Sequence, residues 1–244
     1  MSKKLTKEEI ERYSRQIILF GEKGQEKLKS ATVLVAGAGG LGSAALYYLV
    51  AAGIGKLIVI DDGLVELSNL QRQILYTIDD IGKPKVLVAA EKLRKLNPHV
   101  EIIPVNKRIT KELLEEYIED IDIVVDALDN WETRAVLDGV CYKNNIPYVH
   151  AGVEGFYGQI TFIIPGKTPC LRCIFPMTKS GEKKVIPVVS TTPGILGVLE
   201  ANEVIKFIVG VGEVLSNKLL VYNGLYNMFE VIEIKADDCR ICYE

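Results

Sequence analysis

A glycine-rich turn between a strand-like run and a helix-like run limits this chain's fold more than any other feature. TVLVA at 32–36 is a β-branched run that predicts a buried strand, and Gly37–Gly42 (GAGGLG) follows it directly. The turn fits the pattern GxGxxG, in which glycines let the backbone approach a phosphate and the next helix offers N–H donors. Asp61 ends the next strand-like run, where a carboxylate can bind ribose hydroxyls. A tight turn without a ligand is the alternative, and the pattern alone does not identify the nucleotide.

Strand-like and helix-like segments alternate from this turn to Gly152. Strands are predicted at Thr32–Ala36, Lys56–Asp61, Val100–Val105, Ile121–Asp126 and Pro147–His150. Helices are predicted at about 41–52, 83–96, 111–118 and 131–143. Such alternation predicts an α/β fold, a Rossmann-like doubly wound and mostly parallel sheet with ligands at the carboxyl ends of its strands.

The pattern changes after Gly152. Segments 155–164, 219–221 and 228–234 look like antiparallel strands, and a helix is predicted at about Pro193–Val209 between them. The polar, glycine-containing stretch Thr178–Lys184 predicts a mobile loop. We therefore expect the parallel sheet to be continued by an antiparallel region.

Composition narrows the range of partners and compartments. A net charge of −3 offers no basic field for nucleic acid, so no nucleic-acid partner is expected. Apolar runs such as Leu57–Ile60 are too short to cross a bilayer, so no membrane partner is expected either. Met1–Glu11 is charged and lacks an apolar signal region, which favours a cytoplasmic protein.

A polar segment after the second predicted strand argues against a dehydrogenase. Ser68–Gln73 (SNLQRQ) carries an arginine and three amide side chains, which suit a triphosphate whose charge must be neutralised. Lys85 begins a later helix, and Asp129-Asn130 follows the fourth strand, where a carboxylate can hold Mg²⁺. Each group also has a simpler interpretation: Arg15 and Lys85 as surface charges, and Asp129-Asn130 as a helix cap.

Several motifs together resemble one family, the ThiF/MoeB/HesA proteins, which are bacterial and archaeal relatives of ubiquitin-activating enzymes. The resemblance covers about Leu5 to Cys242. Its motifs are Arg12–Ile17, Gly37–Gly42, Ser68–Gln73, Gly82–Val86, Asn97-Pro98 and Asp126–Asn130. The SNLQRQ and GKPK sequences are far more specific than the glycine turn.

The resemblance implies ATP-dependent adenylation of the C-terminal glycine carboxylate of a ubiquitin-like sulfur-carrier protein of the MoaD or ThiS kind. The products would be an acyl-adenylate and pyrophosphate, in molybdopterin or thiamine sulfur transfer. The implied nucleotide-binding residues are Gly39, Gly40, Gly42, Asp61, Asn69, Arg72, Gln73, Lys85, Asp129 and Asn130. The implied catalytic residues are Arg15, Arg72, Lys85 and Asp129. Asp129 would hold Mg²⁺, Arg15 would act across a homodimer, and Arg134 matches a common family arginine.

Four of the five cysteines form two CxxC pairs. Cys170, Cys173, Cys239 and Cys242 have the spacing of a closed, structural Zn²⁺ site with four cysteine ligands, which the family resemblance also supports. Redox dithiols or disulfides are the alternative. The fifth cysteine, Cys141, lies in an apolar helical segment and is interpreted as an inert core thiol.

The chain departs from its relatives in two places. Residues 185–193 contain no cysteine where many relatives carry a reactive one. We therefore expect an enzyme that only adenylates, with sulfur supplied by a separate persulfide donor. Relatives often show DxDxV after the ribose-binding acid, whereas this chain reads Asp61-Asp62-Gly63, so the role of Asp62 is open.

The chain is expected to form one adenylation domain over residues 1–244. It would comprise an N-terminal helical segment (1–30), a nucleotide-binding half (31–152) and a carrier-binding, zinc-knuckle half (153–244). Two other functions remain open: a non-catalytic subunit that binds a ubiquitin-like protein, and an NAD-dependent oxidoreductase.

Overall fold

An eight-stranded mixed sheet forms the centre of the computed structural model, which describes residues 3–175 and 186–235. The strand order is β3-β2-β1-β4-β5-β6-β7-β8; β1 to β5 run parallel, and the pairs from β5 to β8 are antiparallel. The strands are β1 Thr32–Ala36, β2 Lys56–Ile60, β3 Glu101–Val105, β4 Ile123–Asp126, β5 Tyr148–Glu154, β6 Tyr157–Ile163, β7 Lys218–Asn223 and β8 Met228–Glu233. The predicted mixed sheet is confirmed.

The described helices lie before and between these strands. They are α1 Lys7–Arg12, α2 Ser14–Ser30, α3 Gly40–Ala52, α4 Lys85–Leu96, α5 Lys111–Glu115, α6 Trp131–Lys143, α7 Leu171–Ile174 and α8 Thr191–Val209. Thr6 and Glu9 form a reciprocal capping box at the start of α1. Gly21 breaks α2 with a φ of 73°, a conformation that favours glycine.

Each face of the sheet packs against its own hydrophobic core, because side chains alternate along a strand. Val33 and Val35 face the core formed with α3, α4 and α8. Leu34 and Ala36 face the opposite core, to which α5 and α6 contribute. Burial of both faces explains why the parallel strands read as continuous apolar runs.

Several predicted boundaries differ from the structure, and three of the differences have a clear local reason. Pro84 precedes α4 as its N-cap, with an extended ψ of 128°, instead of lying in the first turn. Helix α5 ends at Glu115, and a short 3-10 turn at Ile118–Asp120 replaces its predicted last residues. Strand β5 continues to Glu154 because its last residues pair with the start of β6. The predicted loop at 178–184 lies outside the described residues.

Across residues 3–175 and 186–235, none of the helices combines the length and the apolar character needed to span a membrane.

Candidate functional site

The glycine turn lies where the strand order reverses direction, between the neighbouring strands β1 and β4. Gly37 has a φ of +100°, and a Cβ there would lie 2.6 Å from the carbonyl oxygen of Ala127. A Cβ on Gly42 would lie 2.2 Å from the carbonyl oxygen of Gly37. At Gly39 the nearest atom would be Gln73 Nε2, at 3.8 Å. Gly37 and Gly42 are therefore required by packing, whereas Gly39 leaves space above the first turn of α3 for a ligand.

Asp61 fixes the glycine turn from the end of β2. Its Oδ2 accepts a hydrogen bond from the Ala38 N–H at 2.8 Å, and its Oδ1 accepts one from the Gly63 N–H at 2.7 Å. The Tyr76 hydroxyl donates to the Ala38 carbonyl oxygen at 2.8 Å. Burial, aided by the Asp61 and Asp80 carboxylates, raises the pKa of Tyr76, so this hydroxyl remains a donor at neutral pH. Asp61 stays half-buried, at the position predicted for a ribose ligand.

The SNLQRQ segment packs directly over the turn. A Cβ on Gly40 would lie 3.4 Å from Arg72 Cγ, so the arginine stem crosses the N-terminus of α3. Arg72 Nη1 donates to the Ser68 carbonyl oxygen at 3.2 Å. Gln73 is buried, and its Oε1 has no hydrogen-bond partner among the described residues. Asn69 is also buried, and its Oδ1 accepts the Glu66 N–H at 3.1 Å, which stabilises the segment's own turn.

Lys85 approaches the same site from the N-terminus of α4. A Cβ on Gly63 would lie 3.2 Å from Lys85 Nζ and 2.9 Å from Asp61 Oδ1. The ammonium group therefore lies beside the predicted ribose-binding carboxylate. The structure thus brings Gly39, Asp61, Arg72, Gln73 and Lys85 together at one edge of the sheet.

Asp129 and Asn130 are exposed at the end of β4. Asn130 Oδ1 accepts the Thr133 N–H at 2.9 Å, so this residue caps α6, which confirms the simpler interpretation for it. Asn130 Nδ2 also donates to Asp129 Oδ1 at 3.3 Å. The Asp129 carboxylate remains exposed at the carboxyl end of the sheet, where a cation can reach it.

A buried polar cluster beneath Asp129 was not predicted. His150 Nδ1 lies 2.6 Å from Asp126 Oδ2, and Arg134 Nε lies 3.4 Å from the same oxygen. Arg134 Nη2 also donates to the carbonyl oxygens of Leu128 and Ala151. For Asp126 and His150, the sequence signal is a polar residue at the end of each apolar run, IVVD and YVH. Their contact could not be predicted from this signal, because it depends on the pairing of β4 with β5.

Burial and the charges of neighbouring groups together set the pKa values in this cluster. Although burial opposes ionisation, the Arg134 guanidinium and the His150 hydrogen bond hold the pKa of Asp126 below its usual range. Burial and the Arg134 charge lower the pKa of His150, despite Asp126. Glu200, on α8, is fully buried, and neither carboxyl oxygen has a hydrogen-bond partner among the described residues. Burial, with a contribution from Asp126, raises its pKa well above the usual value.

Arg15 lies apart from the glycine turn of its own chain. It is exposed near the start of α2, two residues after Tyr13. The Tyr13 ring packs on Gly53, and its hydroxyl accepts a hydrogen bond from Asn97 Nδ2 at 2.8 Å. Gly53 ends α3, whereas the glycine turn begins it. Tyr13 is therefore anchored at the end of α3 opposite the predicted nucleotide.

The cysteine predictions are tested only in part. Cys170 Sγ and Cys173 Sγ lie 3.6 Å apart at the start of α7. Cys239 and Cys242 lie outside the described residues, and the described residues alone contain no cluster of three metal-ligating side chains. Cys141 is buried, as predicted for a core thiol, and burial with the nearby Asp138 and Asp126 charges raises its pKa.

Fold and site together define an α/β protein whose first parallel strand ends in a glycine turn, with Arg72 over the turn and Lys85 beside Asp61. The ThiF family model matches residues 13–242. The chain belongs to the ThiF family, and the resemblance seen in the sequence is confirmed.

Named relatives agree with this membership. The SAMP-activating enzyme E1 of Haloferax volcanii is 42% identical over 100% of this chain and 93% of its own length. The sulfur carrier protein adenylyltransferase of Thermus thermophilus is 40% identical over 97% of this chain and 92% of its own length. A crystal structure of Escherichia coli MccB with ATP superimposes with a TM-score of 0.83 at 27% identity, covering 95% of this chain and 73% of that one. The predicted adenylyltransferase class is confirmed by these relatives.

Proposed function

We propose that this chain uses ATP to adenylate the C-terminal glycine carboxylate of a ubiquitin-like sulfur-carrier protein. The observation that carries the proposal is that the Arg72 side chain lies over the glycine turn, while Lys85 lies beside Asp61, the carboxylate that fixes this turn. Two cations beside a turn that can hold phosphate suit a triphosphate better than the single pyrophosphate of a nicotinamide cofactor. The named relatives support the same reaction.

The proposed reaction is one displacement at phosphorus. A carboxylate oxygen of the carrier attacks the α-phosphorus of ATP, the bond to the bridging oxygen of the β-phosphate breaks, and pyrophosphate leaves with that electron pair. Arg72, Lys85 and Asn69 would bind the phosphates and Asp61 the ribose. Positioning and neutralisation of charge, without a covalent enzyme intermediate, would provide the rate enhancement.

Asp129 is the proposed Mg²⁺ ligand. Its donor chemistry fits, since an exposed carboxylate provides the oxygen ligands that this hard cation prefers. Bound there, Mg²⁺ would neutralise charge on the phosphates. Asn130 is committed to capping α6, so its role would be to fix the backbone next to Asp129.

We also propose a homodimer in which Arg15 serves the partner's site. Helix α3 has 13 residues and so measures about 20 Å, and Tyr13 is anchored at its far end. The Arg15 backbone therefore lies near the far end of α3, and its side chain is better placed to enter a partner's site than to reach the glycine turn of its own chain. Large apolar side chains are exposed on α2 and around the SNLQRQ segment, as a protein interface would require. They are Ile18, Leu19, Leu67, Ile74 and Ile78.

The proposed enzyme stops at the acyl-adenylate. Residues 185–193 have no cysteine, and Cys141 is buried among core residues. A thioester on this chain would need an accessible thiolate. A separate persulfide donor would then supply the sulfur.

A structural zinc site is proposed for the four paired cysteines. A tetrahedral ion with Zn–S bonds of about 2.3 Å holds two sulfurs about 3.8 Å apart, close to the 3.6 Å between Cys170 Sγ and Cys173 Sγ. Elemental analysis of the native protein should find one zinc per chain, and Cys170→Ser should reduce it. Zinc-free, folded wild-type protein would contradict this site.

We assign carrier binding to residues 153–244, and within the described part to β8. This edge strand is exposed along its whole length and carries Phe229 and Val231. An apolar edge of this kind can accept another protein, since its outer backbone groups have no neighbouring strand among the described residues. The carrier's tail would then extend from β8 across the intervening strands to the glycine turn, which lies between β1 and β4.

The decisive experiment incubates the protein with ATP, Mg²⁺ and purified carriers of the molybdopterin and thiamine pathways. Mass spectrometry should find one carrier heavier by an adenylyl group. Binding of a carrier without any adenylate would instead favour the non-catalytic subunit. Comparing the two carriers at equal concentration would identify the pathway.

A further inference from the structure

The buried polar cluster below Asp129 is more elaborate than a helix cap requires. Both backbone polar groups of Leu128, the residue just before Asp129, are bound by side chains of this cluster. Asp126 Oδ1 accepts the Leu128 N–H at 3.2 Å, and Arg134 Nη2 donates to the Leu128 carbonyl oxygen. Asn130, the residue just after Asp129, is held as the cap of α6. Asp129 is therefore an exposed side chain whose backbone is fixed on both sides.

Arg134 can hold this position because it is itself restrained. Its Nη2 also donates to the Ala151 carbonyl oxygen at 2.8 Å, so one guanidinium joins the segment that follows β4 to the middle of β5. Its Cζ lies 5.2 Å from the centroid of the Trp131 ring. An arginine that binds two carbonyl groups and stacks on an aromatic ring cannot be replaced by lysine without loss of contacts.

Asp126 and His150 complete the arrangement. Asp126 is fully buried, and it faces the Arg134 and His150 side chains. A buried carboxylate of this kind needs both partners to remain ionised. His150 also packs against Trp131, with ring centroids 6.0 Å apart. Loss of His150 would therefore disturb Asp126 and, through it, the Leu128 N–H.

We propose that Asp126, Arg134 and His150 are positioning residues that hold Asp129 in its magnesium-binding position. The proposal rests on the proposed function only in taking Asp129 as the Mg²⁺ ligand. None of the three residues needs to touch the nucleotide. Groups that orient a metal ligand in this way commonly change metal affinity by about 10–100-fold when they are altered.

The test measures binding, so it needs no carrier protein. Calorimetry on the full chain compares the Kd for ATP with Mg²⁺ and the Kd for ATP in excess EDTA. We expect Arg134→Lys and His150→Ala to weaken Mg²⁺·ATP binding about 10–100-fold, with ATP binding in EDTA close to wild type. Trp131 is the only tryptophan in the sequence and lies two residues after Asp129, so its fluorescence should change when Mg²⁺ binds.

His150→Asn is the conservative variant, because its side-chain NH2 can replace the His150 Nδ1 donor to Asp126, and it should restore Mg²⁺·ATP affinity. Tyr148→Phe is the matched control. Tyr148 is buried on the same strand and hydrogen-bonds Asp138 on the same helix, but these contacts lead to α7 and not to Asp129. This variant should lower Tm and leave the two Kd values unchanged.

Equal weakening of ATP binding with and without Mg²⁺ would overturn the proposal, as would wild-type Mg²⁺·ATP affinity in folded Arg134→Lys and His150→Ala. Should both variants fail to fold, Asp126→Asn, which keeps the shape and removes the charge, is judged by the same two outcomes. A wild-type chain that binds Mg²⁺·ATP and adenylates no carrier would contradict the proposed function alone.

Discussion

The two halves of the sheet differ in how completely their strands are buried. In the parallel half, β1 and β2 each have four successive buried residues that end at the glycine turn or at Asp61. In the antiparallel half, every residue of β8 is exposed. Rigid, doubly covered strands can fix a catalytic group to within a fraction of an ångström, whereas an uncovered edge can accept another protein. The nucleotide site and the carrier-binding surface are therefore expected to lie in different halves of the sheet. Mutations should accordingly change ATP binding and carrier binding independently.

The largest effect is expected at Arg72, in the parallel half. Arg72→Ala removes a cation over the glycine turn and should reduce carrier-dependent turnover about 10²–10³-fold, the usual scale for one lost transition-state donor. Carrier-dependent exchange of labelled pyrophosphate into ATP measures it. A wild-type exchange rate would remove Arg72 from the site.

Two glycines of the same turn should respond in opposite ways. Gly42→Ala forces a Cβ to within 2.2 Å of a backbone oxygen, so it should lower the free energy of unfolding by about 1–3 kcal/mol. The new Cβ of Gly39→Ala would have only Gln73 Nε2 nearby, at 3.8 Å. The free energy of unfolding of this variant should therefore stay within about 0.5 kcal/mol of wild type.

The same pair should differ in ligand binding. The methyl group of Gly39→Ala occupies space assigned to phosphate, so the Kd for ATP should rise about tenfold, the scale of one lost charge-assisted hydrogen bond. Urea denaturation and ATP calorimetry measure the two quantities. Wild-type ATP affinity in Gly39→Ala would place the phosphates elsewhere.

In the antiparallel half, Val231→Lys places a charge on the face of β8 that carries Phe229 and Val231. Loss of one apolar contact at an interface should raise the KM for the carrier about tenfold and leave the Kd for ATP unchanged. Glu230→Gln, on the opposite face of the same strand, is the control. If Val231→Lys changed ATP binding and not the carrier KM, the assignment of carrier binding to this half would be wrong.

The smallest effect concerns Glu200 and pH. Its pKa in the folded protein is raised well above the ordinary 4.5, mainly by burial, so above about pH 5 the unfolded chain has released a proton that the folded chain keeps. Glu200 by itself therefore makes the free energy of unfolding of the wild-type protein fall as the pH rises. Glu200→Gln removes that loss.

The difference in Tm between Glu200→Gln and wild type should consequently grow from pH 5 to pH 8. Thermal unfolding at several pH values measures it. Glu203→Gln on the same helix is a poor substitute, because the Glu203 carboxylate accepts the Leu215 N–H. Glu213→Gln, at an exposed position, is the better control. A difference in Tm that is constant across this range would mean that Glu200 is ionised in the folded protein.

Much of the parallel half could be predicted from local pattern. The bounds of α6 were predicted correctly, because Asn130 is a strong N-cap and the apolar residues follow a helical period. The candidate site was predicted as a set of residues, because each follows a strand whose carboxyl end must reach the same edge. The direction of each side chain was not predictable, and the sequence offered Asp129-Asn130 as a helix cap without deciding which of the two residues caps α6.

By itself, the sequence determined the order of elements, the glycine turn and the family, since these depend on residues close together along the chain. Only the tertiary structure decided that Arg72 crosses Gly40, that Tyr13 is anchored at the far end of α3, and that His150 meets Asp126. Those contacts join residues separated by 24 positions or more, and they depend on strand order and packing, which no local pattern encodes. The glycine turn could thus be recognised from the sequence, but the group of side chains that makes it a candidate adenylation site could be assembled only by the fold.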